Sequence, residues 1–142
     1  MHNFLPKIYY FIDHFNIDEI KKTNNKVALI YRNYRHNCDE NLIKKIKNFC
    51  KNNNRKFYIS NNLKLAKKLN LDGIYIPSFN KNLNFRRFKK NNFHILGSAH
   101  NLKEIKIKEK QGVQCIFLSP IFKMKKYKQN LDILKFNNIN KI

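Results

Sequence analysis

Short apolar runs alternate along this chain with stretches in which apolar residues recur every three or four positions. Ile8-Tyr9-Tyr10-Phe11-Ile12 is the first run, rich in aromatic and β-branched residues, and predicts a strand. Val27–Tyr31, Phe57–Ile59, Gly73–Ile76, Phe93–Leu96 and Val113–Leu118 predict five more. Between the second and third strands, Leu42, Ile43, Ile46, Phe49 and Cys50 recur at helical spacing, with Lys44, Lys45, Lys47 and Lys51 on the other face. Asn37-Cys38-Asp39-Glu40 supplies a polar helix start there. Asn61-Asn62 can cap a helix holding Leu63, Ala66 and Leu69. Phe85 and Phe88 predict a short helix. Asn101 caps a helix with Leu102 and Ile105 that Gly112 closes. Leu131–Phe136 predicts a short terminal segment.

Continuous apolar strands imply that both faces of the sheet are covered. Strands alternating with helices imply a parallel sheet with right-handed crossovers. The units are closely spaced, which favours a barrel-like α/β domain over an open doubly wound sheet. Neither GxGxxG nor GxxxxGK[ST] occurs, so dinucleotide and P-loop functions lack support. In a parallel βα barrel the chemistry lies at the C-terminal ends of the strands. Those ends carry Asp13 and His14, then Arg32, Asn33 and Tyr34, then Ser60 and Asn61, then Ser78 and Asn80. Gly97, Ser98, His100 and Asn101 follow the fifth strand, and Ser119, Lys123, Lys125 and Lys126 the sixth. The set is polar and basic, suited to a phosphorylated ligand and poor in the hard carboxylate oxygens a protein-held magnesium needs. Tyr9, Tyr10, Phe57 and Phe117 are expected in the core.

Composition adjusts this picture more than it sets it. The 142 residues fit one domain, and the formal net charge is +21. Such a charge draws anionic ligands. Yet the cations are 25 Lys against 5 Arg, without the Arg enrichment of bidentate base and phosphate recognition, so a nucleic-acid partner is the weakest expectation. Lys, Asn and Ile, all with A/T-rich codons, dominate the chain, so base composition accounts for much of the Lys and hence of the charge. No apolar run is long enough for a membrane span. Residues 1–15 carry Asp13 and lack a small-residue cleavage site, so a secretory signal is not expected. Cys38, Cys50 and Cys115 are widely spaced with no CxxC pair; we expect reduced thiols in a cytoplasmic protein, Cys50 and Cys115 on buried faces.

Several segments carry a resemblance. Leu96-Gly97-Ser98-Ala99-His100-Asn101, Glu104, Gly112 and Phe117-Leu118-Ser119-Pro120-Ile121-Phe122 resemble the glycine-serine-histidine loop and the strand end of the thiamine-phosphate synthase and thiazole tautomerase superfamily. Phe57-Tyr58-Ile59-Ser60-Asn61, Leu65-Ala66 and Leu71-Asp72-Gly73-Ile74-Tyr75-Ile76 resemble its third and fourth strands, and Ile30-Tyr31-Arg32 its arginine-bearing second strand. The similarity runs from about residue 7 to 136, and implies a single domain over 1–142. It implies a TIM-barrel-like (β/α) fold with about six of the family's eight βα units. It also implies a transferase that joins hydroxymethylpyrimidine diphosphate to thiazole phosphate, with magnesium and basic residues holding the diphosphate.

Carried over position by position, the resemblance makes Arg32 the diphosphate-binding arginine, and Ser60, Asn61, Ser98, His100, Lys125 and Lys126 substrate contacts. Asn61 and Asn80 stand where the family has metal-binding aspartates, which weakens the magnesium expectation. Tyr34 stands in place of a lysine and Tyr75 in place of a histidine. Pro120 occupies the tautomerase's catalytic histidine position, so no catalytic residue is assigned. A non-catalytic relative that binds a phosphorylated thiamine precursor, or regulates a partner, is the alternative. Six strands leave an open sheet edge that a second copy or a partner chain would cover.

Overall fold

The computed structural model describes residues 5–35, 39–88, 92–123 and 130–139. The strands are β1 (Tyr9–Ile12), β2 (Ala28–Tyr31), β3 (Phe57–Ser60), β4 (Gly73–Ile76), β5 (His94–Ala99) and β6 (Cys115–Leu118). The helices are α1 (Ile17–Lys21), α2 (Glu40–Asn52), α3 (Leu63–Lys68), α4 (Leu102–Lys110) and α5 (Asp132–Ile139). A 3-10 turn spans Arg86–Phe88. The sheet has six strands in the order β1-β2-β3-β4-β5-β6. All six strands, and α2, α3 and α4, stand where the apolar pattern placed them; α1, capped by Asn16, was not expected. The chain divides into two compact units, Met1–Tyr75 with Lys90–His94, and Ile76–Lys89 with Ile95–Ile142.

In the first unit β1, β2, β3 and β4 pair in parallel, with Phe11 opposite Ile30, Ile30 opposite Tyr58, and Ile59 opposite Ile74. Leu29, Ile30, Tyr58, Ile59 and Ile74 are fully buried, as are Ile43, Ile46 and Cys50 on the apolar stripe of α2. Each aliphatic side chain among them contributes roughly 1.5–3 kcal/mol by leaving water. The caps explain why the helices start where they do. Asp39 accepts from the Asn41 amide at 2.9 Å and begins α2. Asn62, not Asn61, accepts from the Leu65 amide at 3.0 Å and begins α3. Asn61 instead turns the chain between β3 and α3 with φ 59°, a left-handed conformation that asparagine tolerates. Gly73 is required by crowding, because a Cβ there would lie 2.0 Å from the His94 carbonyl oxygen.

At the N-terminal ends of these strands, Arg55 is 7% exposed and clamps the turn after α1. Its guanidinium donates to the carbonyls of Ile20, Thr23, Asn24 and Val27 and to Thr23 Oγ1, at 2.7–3.2 Å. Beside it, Asp72 accepts from the Phe57 amide at 2.9 Å and from Lys56 Nζ at 2.7 Å. Burial pushes the Cys50 thiol up to about 12, so it stays protonated and unreactive.

In the second unit β5 and β6 pair in parallel, Leu96 opposite Cys115 and Ala99 opposite Leu118. Asn101 accepts from the Glu104 amide at 3.0 Å and starts α4. Gly112, at φ 78°, follows its last turn. The terminal segment is the helix α5, and the side chain of Leu131 just before it is buried.

Three expectations change. Tyr10 is 36% exposed because β1 is an end strand of the sheet. Phe117 and Cys115 are only half-buried, for the same reason on β6. The fifth strand does not stop at Leu96 but runs to Ala99, so Ser98 is a strand residue, 7% exposed, rather than part of a loop. Small side chains at Gly97, Ser98 and Ala99 permit this. A Cβ on Gly97 would already be 3.1 Å from Lys108 Cδ and from Val113 Cγ2.

Candidate functional site

The strand ends of the first unit present an exposed cation on an aromatic bed. Hydrogen bonding of the Arg32 amide to the Ile12 carbonyl, at 2.8 Å, extends the β1–β2 ladder one residue. This sets the Arg32 side chain at the strand end, where its guanidinium lies 4.7 Å from the Phe11 ring centroid and 5.9 Å from that of Tyr34. Such stacking holds the planar cation while leaving its edge donors for an acceptor. Among the described residues no carboxylate forms an ion pair with Arg32. Phe11 is itself held edge-on by Tyr75, with ring centroids 5.2 Å apart. The Ser60 hydroxyl donates to the Tyr34 oxygen at 3.5 Å, the outer limit of a hydrogen bond. Desolvation raises the Tyr34 phenol above its usual range, so it remains neutral.

At the β1 end two exposed side chains pair with each other. His14 Nδ1 and Asp13 Oδ1 are 2.6 Å apart. The hydrogen bond raises the imidazole and lowers the carboxyl, favouring the charged pair. The Asn33 amide donates to the Asp13 carbonyl at 3.0 Å and its oxygen accepts from the Arg35 amide at 2.9 Å, which orders the loop after Arg32.

The strand ends of the second unit hold a chain of a different kind. Ser78 Oγ lies 3.0 Å from His100 Nε2, and His100 Nδ1 is hydrogen-bonded to the Ser119 carbonyl oxygen. A carbonyl can only accept, so Nδ1 carries the proton; in the neutral ring Nε2 then accepts from the Ser78 hydroxyl. The His100 amide donates to Glu104 Oε2 at 2.7 Å, which places the ring at the start of α4.

Beneath the Ser78 loop lies a buried ammonium group. Lys108, at 0% exposure, donates from Nζ to the carbonyls of Pro77 at 2.7 Å and Asn80 at 2.8 Å and to Gln111 Oε1 at 3.0 Å. Gln111 Nε2 donates to the carbonyls of Asn80 at 2.9 Å and Asn82 at 2.8 Å. All three donors of the ammonium and both donors of the amide are used. Burial pushes the Lys108 amine down to about 8. Sequence reasoning missed both residues. The signal was present, since Lys108 lies three positions after Ile105 on the inward stripe of α4, and Gln111 three further on.

The residues expected to contact substrate therefore fall as follows. Arg32, Ser60 and Asn61 occupy strand ends of the first unit; Asn61 donates its amide to the Tyr75 carbonyl at 2.9 Å. His100 occupies a strand end of the second unit, whereas Ser98 is enclosed within β5. Lys125 and Lys126 lie outside the described residues, and Lys123 is exposed. The Asn80 carbonyl is spent on Lys108 and Gln111. Both expected metal positions, Asn61 and Asn80, offer neutral amides. Among the described residues no group of three His, Cys, Asp or Glu stands close enough to hold a metal ion. That donor set does not fit a magnesium ion held by the protein alone.

Parallel βα units with a polar, basic set of strand ends place the chain among the TIM-barrel-like α/β proteins. The family model for thiamine monophosphate synthase matches residues 21–142, and the chain belongs to that family. Among solved structures it is similar to a thiamine phosphate pyrophosphorylase from Pyrococcus furiosus, with a TM-score of 0.63 and 13% sequence identity. That likeness covers 94% of this chain and 69% of the other, and shows the fold. No curated protein matches the chain in sequence. Among the described residues no helix is long and apolar enough to cross a membrane.

Proposed function

We propose that the chain serves thiamine biosynthesis in the cytoplasm by binding a phosphorylated precursor at its strand ends, with Arg32 as the phosphate anchor. The carrying observation is the Arg32 guanidinium, stacked on Phe11 at the end of β2 with no carboxylate partner among the described residues. Ser60 and Asn61 supply neutral donors at neighbouring strand ends, and the +21 charge steers the anion. The reaction that fits family membership joins hydroxymethylpyrimidine diphosphate to thiazole phosphate, releasing pyrophosphate. The protein's part in such a step is to position both partners and stabilise the departing charge. With amides at the two expected metal positions, no step is routed through a protein-bound magnesium.

Calorimetry with inorganic pyrophosphate and each phosphorylated precursor tests the binding. Arg32→Ala should weaken pyrophosphate binding at least about tenfold, since a charge-assisted hydrogen bond is worth roughly 1.5–3 kcal/mol. Unchanged affinity would remove Arg32 from the site. Incubating the protein with both precursors and magnesium then tests turnover. Binding without formation of thiamine phosphate would select the second reading, a non-catalytic relative that retains the ligand, which the amides at Asn61 and Asn80 favour.

A further inference from the structure

The Ser78–His100–Ser119 chain has an arrangement that phosphate binding does not call for. Its three parts stand in the order of a nucleophile, a base and an orienting acceptor. Ser78 Oγ is 3.0 Å from His100 Nε2, within reach for proton transfer. On the far side of the ring, the Ser119 carbonyl fixes the Nδ1–H tautomer and leaves the Nε2 lone pair aimed at the hydroxyl. A carbonyl carries only partial charge, so it orients the imidazole more than it stabilises an imidazolium. The Glu104 carboxylate, bonded to the His100 amide, brings a full negative charge to the same residue.

The nucleophile's loop is also held rigidly. Pro77, Asn80 and Asn82 present their carbonyls to Lys108 and Gln111 through four hydrogen bonds of 2.7–2.9 Å. The Asn80 amide closes a turn onto the Pro77 carbonyl at 3.1 Å, around Ser78. A side chain on a backbone fixed in this way loses little entropy on reaching an attack geometry. Ser78 is half-buried and His100 exposed, so a small molecule reaches both.

We propose that Ser78 is a nucleophilic serine, with His100 as its general base and the Ser119 carbonyl orienting the ring, that accepts the acyl group of small activated carboxylic esters. Ser78 Oγ attacks the ester carbonyl carbon while its proton passes to His100 Nε2. The ester C–O bond breaks, and the departing alcohol or phenol takes that proton from Nε2. Ser78 is left as an acyl ester. Water then attacks the acyl carbon, giving a proton to Nε2; the Oγ–acyl bond breaks, the carboxylic acid leaves, and Oγ recovers the proton. The activity stands apart from the phosphate reading, since it uses neither Arg32 nor a phosphorylated ligand.

The test uses the full chain with p-nitrophenyl acetate and, separately, a fluorophosphonate probe, with peptide mass spectrometry locating the modified residue. The expected result is one acetyl or phosphonyl group on Ser78, absent in Ser78→Ala. His100→Asn should slow modification of Ser78 by about a hundredfold. Direct acetylation of surface lysines should proceed equally in all variants and serves as the internal reference for folded, reagent-accessible protein. An unmodified Ser78 in the parent chain, or modification at the same rate in His100→Asn, would overturn the proposal.

Discussion

Each of the two units buries a cation among neutral oxygens, and the two cations differ in chemistry. In the first unit Arg55 spreads five hydrogen bonds over the turn after α1 and the start of β2. In the second, Lys108 gathers Pro77, Asn80 and Gln111 around one nitrogen. The guanidinium is permanently charged and planar, so it can bind a turn but cannot switch. Ammonium is compact and titratable, and its burial draws it down to about 8. The clamp in the first unit lies at the N-terminal ends of the strands, away from Arg32. The clamp in the second lies directly under the loop that carries Ser78. One unit therefore has a stability device remote from its candidate site, while the other builds the device into it.

Removing the guanidinium breaks the comparison most severely. Arg55→Met removes a donor from four carbonyls, of which those of Ile20 and Asn24 keep backbone amide partners, and should cost about 3 kcal/mol, read as a lower urea midpoint. A midpoint unchanged within error would mean that water replaces the clamp.

The titration separates the two cations next. The folded-state value of Lys108 lies below its unfolded value of 10.5. Between about pH 8 and 10.5 the unfolded chain thus binds more protons at this site than the folded one, so the contribution of Lys108 to stability rises with pH. Its ceiling is roughly 3 kcal/mol. Unfolding midpoints measured at about pH 7.5 and about pH 10 should therefore rise more in the parent chain than in Lys108→Met, and parallel shifts would show that the ammonium is not desolvated.

At neutral pH Lys108→Met should cost less than Arg55→Met, on the order of 1–2 kcal/mol, because losing the hydrogen bonds is offset by relief of a buried charge. The smallest effects fall on the helix caps. Asp39→Ala in the first unit and Asn101→Ala in the second should each cost about 1 kcal/mol in the same measurement. The second should also loosen α4 beside His100, visible as faster amide exchange there and not in α2.

Most of the fold was legible in the order of residues. Runs such as Ile74-Tyr75-Ile76 are too short and too apolar to be anything but strands buried on both faces. The stripe Ile43, Ile46 and Cys50 marks the inward face of a helix by spacing alone. Asn101 with Glu104 signals a helix start through local hydrogen bonding. Expectations failed where the environment outweighed composition. Tyr10 is as apolar as its neighbours, yet an end strand leaves it half in water. Ser98 reads as a loop residue from its polarity, yet the small Gly97 and Ala99 let the strand continue past it. Arg32 was legible because a cation at the end of an apolar run can point only outward.

Sequence alone therefore determined the order of the strands, the family, the caps of α2 and α4 and the shortage of carboxylates at the strand ends. Each depends on residues near one another in the chain, where period and local hydrogen bonding decide. Tertiary structure alone decided the fates of Arg55 and Lys108. Among 30 basic residues nothing in the string singles out Arg55, and only a place on the inward stripe of α4 marks Lys108; both lie buried among the described residues. They become clamps because carbonyl groups about 30 residues away in sequence converge on them. Only folding brings Ser78, His100 and Ser119 within hydrogen-bond reach, since their alignment is set by the loop after β4, the end of β5 and the end of β6 together.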